Sequence, residues 1–302
     1  MLLRPRPALP DGSLWLYELK FDGYRAIAFR TGGRVHLRSR NNNDFNAKYP
    51  SIAKALAGLP DDTTIDGEIV ALDQSGRPAF NALQNSARSK ATIVYFVFDV
   101  MMLNGRDLVG ETLETRRHLL QNEVLPRLNQ PIRLSPELQA SVADLVESVK
   151  AQGLEGLVAK RRDSCYEAGQ RSGAWQKMRI NQIDDFVIGG YTVGGRTFDA
   201  LIFGYYDNSR LMYVARTRNG FTPLLREQLL EAFRGLEIEE CPFANLPEKH
   251  AGRWGQGLTA AKMSDCRWLT PALTARLEFL ERTPDGHLRH ARFVTLRKPS
   301  GE

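Results

Sequence analysis

Segments that read as β-strand outnumber those that read as helix in this chain, and the two kinds do not alternate one for one. A doubly wound parallel sheet needs a crossover helix after each strand. The ordering here predicts instead an α+β protein built of antiparallel sheets with flanking helices. Leu14–Leu19 is an apolar run leading straight into Lys20. Arg25–Arg30 reads as a second strand, and Val35 and Leu37 alternate with polar neighbours in a third. Thr64–Leu72 and Ile93–Met101 are rich in the β-branched and aromatic residues of buried strands, and Gly156–Ala159 is a short strand. Pro50–Leu59, Leu113–Leu128 and Leu138–Gln152 carry helical apolar spacing, the first with proline at its start.

The pattern changes near Asn181–Asp185, which is expected to act as a hinge between domains at 1–182 and 183–302. Phe186–Tyr191, Ala200–Tyr206, Leu211–Thr217, Ala272–Glu281 and Leu288–Leu296 read as strands separated by turn residues, with one helix at Pro223–Phe233. Five short strands and one helix suit a small β-barrel of the OB type, a common nucleic-acid platform.

The 302 residues are 42% hydrophobic and 25% charged, the balance of a soluble protein long enough for two cores. No apolar run approaches bilayer length, and Met1–Pro7 has no signal-like apolar core, so a cytoplasmic protein is expected. Cys165, Cys241 and Cys266 are widely spaced and form no CxxC pair, which argues against a disulfide framework or a zinc site. The formal net charge of +6 fits a polyanionic partner, though many soluble proteins carry such a charge without one.

The segment Glu18-Leu19-Lys20-Phe21-Asp22-Gly23-Tyr24-Arg25 carries the chemistry. Lys20 ends an apolar strand and precedes a glycine turn, so its amine projects from a sheet edge. A lysine nucleophile must be neutral, and at its reference pKa only roughly one in a few thousand is neutral at pH 7. Burial or a nearby cation favours the neutral amine. A surface lysine in a turn would look the same in isolation.

Other segments resolve that ambiguity. Lys20-Phe21-Asp22-Gly23-Tyr24-Arg25 resembles the nucleophile motif of the covalent nucleotidyltransferases, the superfamily of ATP-dependent DNA ligases, RNA ligases and mRNA capping enzymes. Ser39-Arg40-Asn41, Asp66-Gly67-Glu68, Tyr95-Phe96-Val97-Phe98-Asp99, Glu155-Gly156-Leu157-Val158-Ala159-Lys160 and Trp175-Gln176-Lys177 are similar to its later motifs in order, and Phe293–Lys298 sits where the last should lie. The resemblance implies a nucleotidyltransferase (adenylation) domain followed by an OB-fold domain. It implies that Lys20 attacks the α-phosphate of ATP to give a lysyl-AMP, that Glu18 accepts from the adenine amino group, and that Phe98 stacks on the ring. Arg25 and Glu68 would hold the ribose and Arg40 sugar, phosphate or DNA. Lys160 and Lys177 would balance α-phosphate charge, with Arg179 and Arg297 as further nucleotide contacts. Glu68 and Glu155 would bind Mg²⁺ or Mn²⁺.

The residues also admit plainer readings. Phe98 lies in a run that any core strand would carry, Trp175 reads as structural, and Asp66 and Glu68 alternate so that both could face water. Asn42 stands where many relatives have glycine, Arg179 where many have a second lysine, and the end reads Arg297-Lys298-Pro299 where bacterial relatives carry Arg-Glu-Asp-Lys. Nineteen residues precede Lys20 and no cysteine cluster exists, which favours ATP over NAD, while Glu18 argues against guanine. Trp268–Pro271, Leu277–Phe279 and Thr283–His290 resemble the second domain of bacterial end-joining DNA ligases, which favours DNA over RNA. The expectation is a stand-alone, monomeric DNA ligase acting on nicked duplex, with Arg40, Arg216 and Arg218 toward DNA and a Ku-type end-binding protein as the partner that such relatives use. The competing classes are a nucleic-acid-binding relative that has lost catalysis and an RNA ligase or capping-type enzyme.

Overall fold

The computed structural model describes residues 1–84, 91–250, 257–283 and 285–297. The chain forms two compact units, Met1–Ile180 and Asn181–Glu302. No helix among the described residues is long and apolar enough to cross a membrane.

The first unit contains β1 (Arg4–Pro5), β2 (Trp15–Leu19), β3 (Tyr24–Thr31), β4 (Arg34–Ser39), α1 (Pro50–Ala55), β5 (Thr63–Leu72), α2 (Phe80–Gln84), β6 (Thr92–Leu103), β7 (Arg106–Asp107), α3 (Leu113–Leu119), β8 (Ile132–Leu134), α4 (Val142–Ala151), β9 (Gly156–Arg161) and β10 (Trp175–Arg179). One sheet has the order β4-β3-β5-β6-β7 and is antiparallel, with β8 added parallel to β6. A second sheet runs β1-β10-β9-β2, antiparallel except for the β1–β10 pair. The largest core lies on the first sheet, where Ile65, Ile69, Tyr95, Val97 and Val100 meet Ile52, Leu56 and Leu120. Each such burial contributes about 1.5–3 kcal/mol.

Two helices differ from the sequence expectation. The stretch expected as a helix over Leu113–Leu128 is α-helical only to Leu119, widens to a π turn over Leu120–Val124 and tightens to a 3₁₀ turn over Leu125–Arg127. Pro126 has no N–H to give and its ring crowds the preceding turn, so the α ladder cannot pass it. The helix expected from Leu138 begins at Val142, where the Ser141 hydroxyl accepts from Asp144 N at 3.2 Å. Leu138 keeps the apolar period but bridges Tyr17 in extended form.

The second unit contains β11 (Gln182–Gly194), β12 (Thr197–Asp207), β13 (Arg210–Thr217), α5 (Pro223–Ala232), β14 (Glu237–Ile238), α6 (Ala260–Met263), β15 (Cys266–Phe279), β16 (Glu281–Arg282), β17 (Leu288–Arg289) and β18 (Arg292–Arg297). Its main sheet has the order β13-β12-β11-β15-β14, with β18 also on β15. Phe186, Phe198, Phe203, Phe233, Phe279 and Phe293 fill the interior of this OB-type unit. The strand expected over Ala272–Glu281 starts earlier, at Cys266, and that over Leu288–Leu296 is broken at His290, whose φ of 56° interrupts the ladder. The short α6 is a second helix where one was expected.

Asn181–Asp185, the expected hinge, is strand from Gln182 onward, paired with Arg276–Phe279. The two units divide at its start, after Ile180. Its acids make cross-strand contacts, Asp184 with Arg282 at 3.2 Å and Asp185 with Arg276 at 2.8 Å.

Candidate active site

Lys20 leaves the end of β2, which pairs with β9 so that Glu18 faces Val158 and Leu19 faces Leu157. The Lys20 N–H donates to Gly156 O at 2.9 Å, which pins the lysine beside the start of β9. Its Nζ donates to Glu155 Oε1, and both side chains are largely buried. Two glycines make this approach possible. Gly156 has φ 152°, and a methyl there would overlap the Met178 carbonyl. A methyl on Gly23 would overlap the Ile69 carbonyl and crowd Glu68 Cγ. The glycine after the lysine therefore lets the turn lie against β5. Gly23→Ala is expected to lift that turn and cost about 1–3 kcal/mol, read as a lower denaturation midpoint. An unchanged midpoint would mean the turn does not rest on β5.

A cavity of about 290 Å³ opens between the two sheets of the first unit. This is near the small end of the range for ligand sites. Six cationic side chains line it (Lys20, Arg25, Arg40, Lys160, Arg171 and Lys177) against three acidic ones (Glu18, Asp22 and Glu68). The surplus suits an anionic ligand. Phe98 and Trp175 supply ring surface. Phe98 is half-buried at the cavity wall, while Trp175 is buried and meets it edge-on at 5.8 Å.

The walls are tied by ion pairs. Glu18 Oε1 accepts from Arg117 Nη1, and Oε2 accepts from Lys160 Nζ at 2.7 Å. Lys160 Nζ also lies 4.1 Å from the Phe98 ring centre and 4.4 Å from that of Trp175. Burial pulls the Lys160 ammonium below its ordinary range, against the pull of Glu18. Lys177 is lowered by burial and then by the cations Lys20 and Arg179. Arg25 is committed to Asp66 by two bonds of 3.0 and 2.5 Å and to the Met1 carbonyl at 2.5 Å, so its fork holds the wall together as well as lining it.

Asp66 does not face water. It is fully buried, and its Oδ2 also accepts from Tyr166 Oη at 2.8 Å. The bulge between Asp66 and Gly67 and the tight fit of Gly67 against Phe96 and Tyr95 set this part of the strand into the interior. Arg116 and Arg117 were not found by motif. Their signal was periodic: Leu113, Arg116, Arg117, Leu120 and Val124 share one helical stripe, and arginines on a buried stripe require buried acids. Arg116 meets Asp99 at 2.7 Å, with both side chains fully buried. Arg171 was missed because it lies in a loop between two motifs.

Glu155 and Glu68 fit a hard divalent cation. Glu155 Oε2 is buried with no hydrogen-bond partner, and burial raises this carboxyl. Glu68 is pushed up to about 8, first by burial, with Lys20 and Arg25 opposing and Asp66 and Glu155 adding to it. No third acidic, histidine or cysteine ligand joins them among the described residues. Two carboxylates completed by phosphate and water is a pattern that Mg²⁺ adopts.

Because the folded Glu68 pKa lies above its ordinary 4.5, its stabilising contribution is whole below about 4.5 and is lost as pH rises through about 8. In metal-free buffer, thermal stability is expected to fall more between pH 5 and 8 for the wild type than for Glu68→Gln. Parallel pH profiles would refute the assignment.

Arg40 is exposed at the cavity lip. Asn42 adopts φ 59°, and its N–H donates to Ser39 O at 2.9 Å, a left-handed turn that asparagine tolerates in place of glycine. Arg179 approaches Glu155 at 3.4 Å. In the second unit, Arg297 lies 3.6 Å from Asp185, and Arg218 pairs with Asp199 at 2.6 Å. Arg216 lies half-buried on β13. Lys298 and Pro299 fall outside the described residues.

An adenylation-type α+β unit with a lysine-centred, cation-lined cavity, followed by an OB-type unit, is the architecture of a covalent nucleotidyltransferase. The ATP dependent DNA ligase domain model matches residues 9–179, and the ATP dependent DNA ligase C terminal region model matches residues 194–299. The chain belongs to the ATP-dependent DNA ligase family. The multifunctional non-homologous end joining protein LigD of Pseudomonas aeruginosa is 34% identical over 304 residues, covering 97% of this chain and 35% of that protein. LigD of Mycolicibacterium smegmatis is 34% identical over 289 residues, covering 94% and 36%. The chain thus spans about a third of the length of these curated relatives. The solved ligase domain from M. tuberculosis LigD is 31% identical, with a TM-score of 0.53 over 98% of this chain and 95% of that one.

Proposed function

We propose that this protein seals nicks in duplex DNA with ATP, through AMP carried on Lys20 Nζ. The observation that carries the reading is the placement of that amine in a cation-lined cavity, in direct contact with an acid, Glu155, whose second oxygen is free. Lys20 Nζ loses a proton, for which Glu155 Oε1 is the contacting acceptor. It then bonds to the α-phosphorus of ATP as the bond to pyrophosphate breaks. The 5′-phosphate at a nick next displaces Lys20 and takes AMP. The adjacent 3′-hydroxyl attacks that phosphate, and AMP leaves.

Glu18 accepts from the adenine amino group, Phe98 offers its face to the base, and Arg25 and Glu68 border the ribose. Lys160, Lys177 and Arg179 offset phosphate charge, and the cation held in the interior, Lys160, acts most strongly. Arg297 contacts the leaving pyrophosphate. Glu155 and Glu68 would hold Mg²⁺ or Mn²⁺, which would supply charge to offset that on the phosphates. Arg40, Arg216 and Arg218 contact the DNA backbone. The protein acts as a monomer in the cytoplasm, in end-joining repair beside a Ku-type end-binding protein.

The test is sealing of a nicked duplex supplied with ATP, GTP or NAD. Sealing with ATP and divalent metal alone is expected, weakening steeply between low and moderate salt as phosphate contacts are screened. Sealing driven by NAD or GTP, or none with any nucleotide, would overturn the proposal.

A further inference from the structure

Arg117 does not line the cavity, yet it holds three groups that do. Its Nη1 donates to Glu18 Oε1 and lies 3.4 Å from the Phe98 carbonyl, and its Nη2 donates to the Ser135 carbonyl at 2.9 Å. Glu18, Phe98 and Ser135 all border the cavity and come from β2, β6 and the segment after β8. The Arg117 side chain is 9% exposed, so solvent cannot substitute for these contacts. Lys160 secures only the other oxygen of Glu18.

We propose that Arg117 is a positioning residue that sets nucleobase selection by fixing the Glu18 carboxylate at the cavity wall. The argument is geometric. A carboxylate held through one oxygen still rotates about its last bond. One held through both oxygens by cations on different elements keeps a single orientation, with its oxygens presented as acceptors. An acceptor fixed in that way favours a base presenting an amino group. The guanidinium fork also reaches Ser135, so a point charge at this position cannot make both contacts. This inference rests on the reading of Glu18 as the adenine contact.

The test is the kinetics of self-adenylylation with ATP and with purine riboside triphosphate, which lacks the amino group. Variants are Arg117→Met, Arg117→Lys, Glu18→Ala and the double Arg117→Met/Glu18→Ala. Arg117→Met is expected to raise KM for ATP by about ten-fold, with kcat within about two-fold and KM for the amino-free analogue little changed. Arg117→Lys recovers part of the loss, and the double variant is no worse than Glu18→Ala alone. Equal rises in KM for both nucleotides, or effects that multiply in the double variant, would reduce Arg117 to a structural role and overturn the proposal. Should Arg117→Met not fold, the Arg117→Lys ratio of the two KM values decides alone: a ratio equal to the wild type overturns it. A wild type that forms no adenylate defeats the activity reading and this inference with it. A wild type that discriminates while the variants match it defeats only this inference.

Discussion

Lys20→Ala is expected to abolish covalent labelling by radiolabelled ATP, lowering self-adenylylation by about four orders of magnitude or more. No other amine in the cavity is placed to replace it. Lys160 is locked between Glu18 and two aromatic rings, and among the described residues Lys177 makes no direct contact with an acid of the kind Lys20 makes with Glu155. The variant should nevertheless bind nicked duplex and should close a nick that already carries AMP on its 5′-phosphate, because that last step needs no lysine nucleophile. Gel-shift and single-turnover sealing of pre-adenylylated DNA separate the two outcomes. Label persisting on another lysine would remove Lys20 from the mechanism.

The largest stability effect is expected from Arg116→Met. The guanidinium bonds Asp99 at 2.7 and 2.9 Å and also donates to the Glu111 and Ser164 carbonyls at 2.6 and 3.0 Å. Both charged groups are sealed from water, and the interior already raises the Asp99 carboxyl through burial despite its partner. Removing only the cation leaves an uncompensated buried acid, which costs about 3–5 kcal/mol. Replacing both partners, as Arg116→Met with Asp99→Leu, is expected to restore part of the loss because no charge then remains to be desolvated. Urea titration of the single and double variants measures the difference. A single variant within 1 kcal/mol of the wild type would show that the pair is wet, on the scale of exposed pairs at about 0–1 kcal/mol.

Many of the residues that line the cavity were legible because their signals are local. An apolar run ending in Lys20, the glycine after it, and the order of the later motifs depend on spacing along the chain alone. Strand positions were legible for the same reason, since alternation and β-branched content reflect each segment's own burial. Helix ends were less so. Pro126 stops the α ladder one way and Ser141 starts it another, while the apolar period runs on past both. The compositional change at Asn181–Asp185 marked the division between the units, but not that its acids are answered by Arg276 on β15 and Arg282 on β16, pairings across more than ninety positions that composition cannot express.

What the amino-acid order determined by itself was the family, the two-part architecture and the lysine put forward as the nucleophile, because each rests on short-range patterns. The tertiary structure alone decided which charges are answered and by whom. It sent Asp66 inward to Arg25 while Glu68 remained at the cavity wall, left one oxygen of Glu155 without a partner, and set Arg117 behind Glu18. The physical reason is that the energy of a charge depends on the dielectric and the counter-charges around it, and these come from strands and helices far apart in the chain.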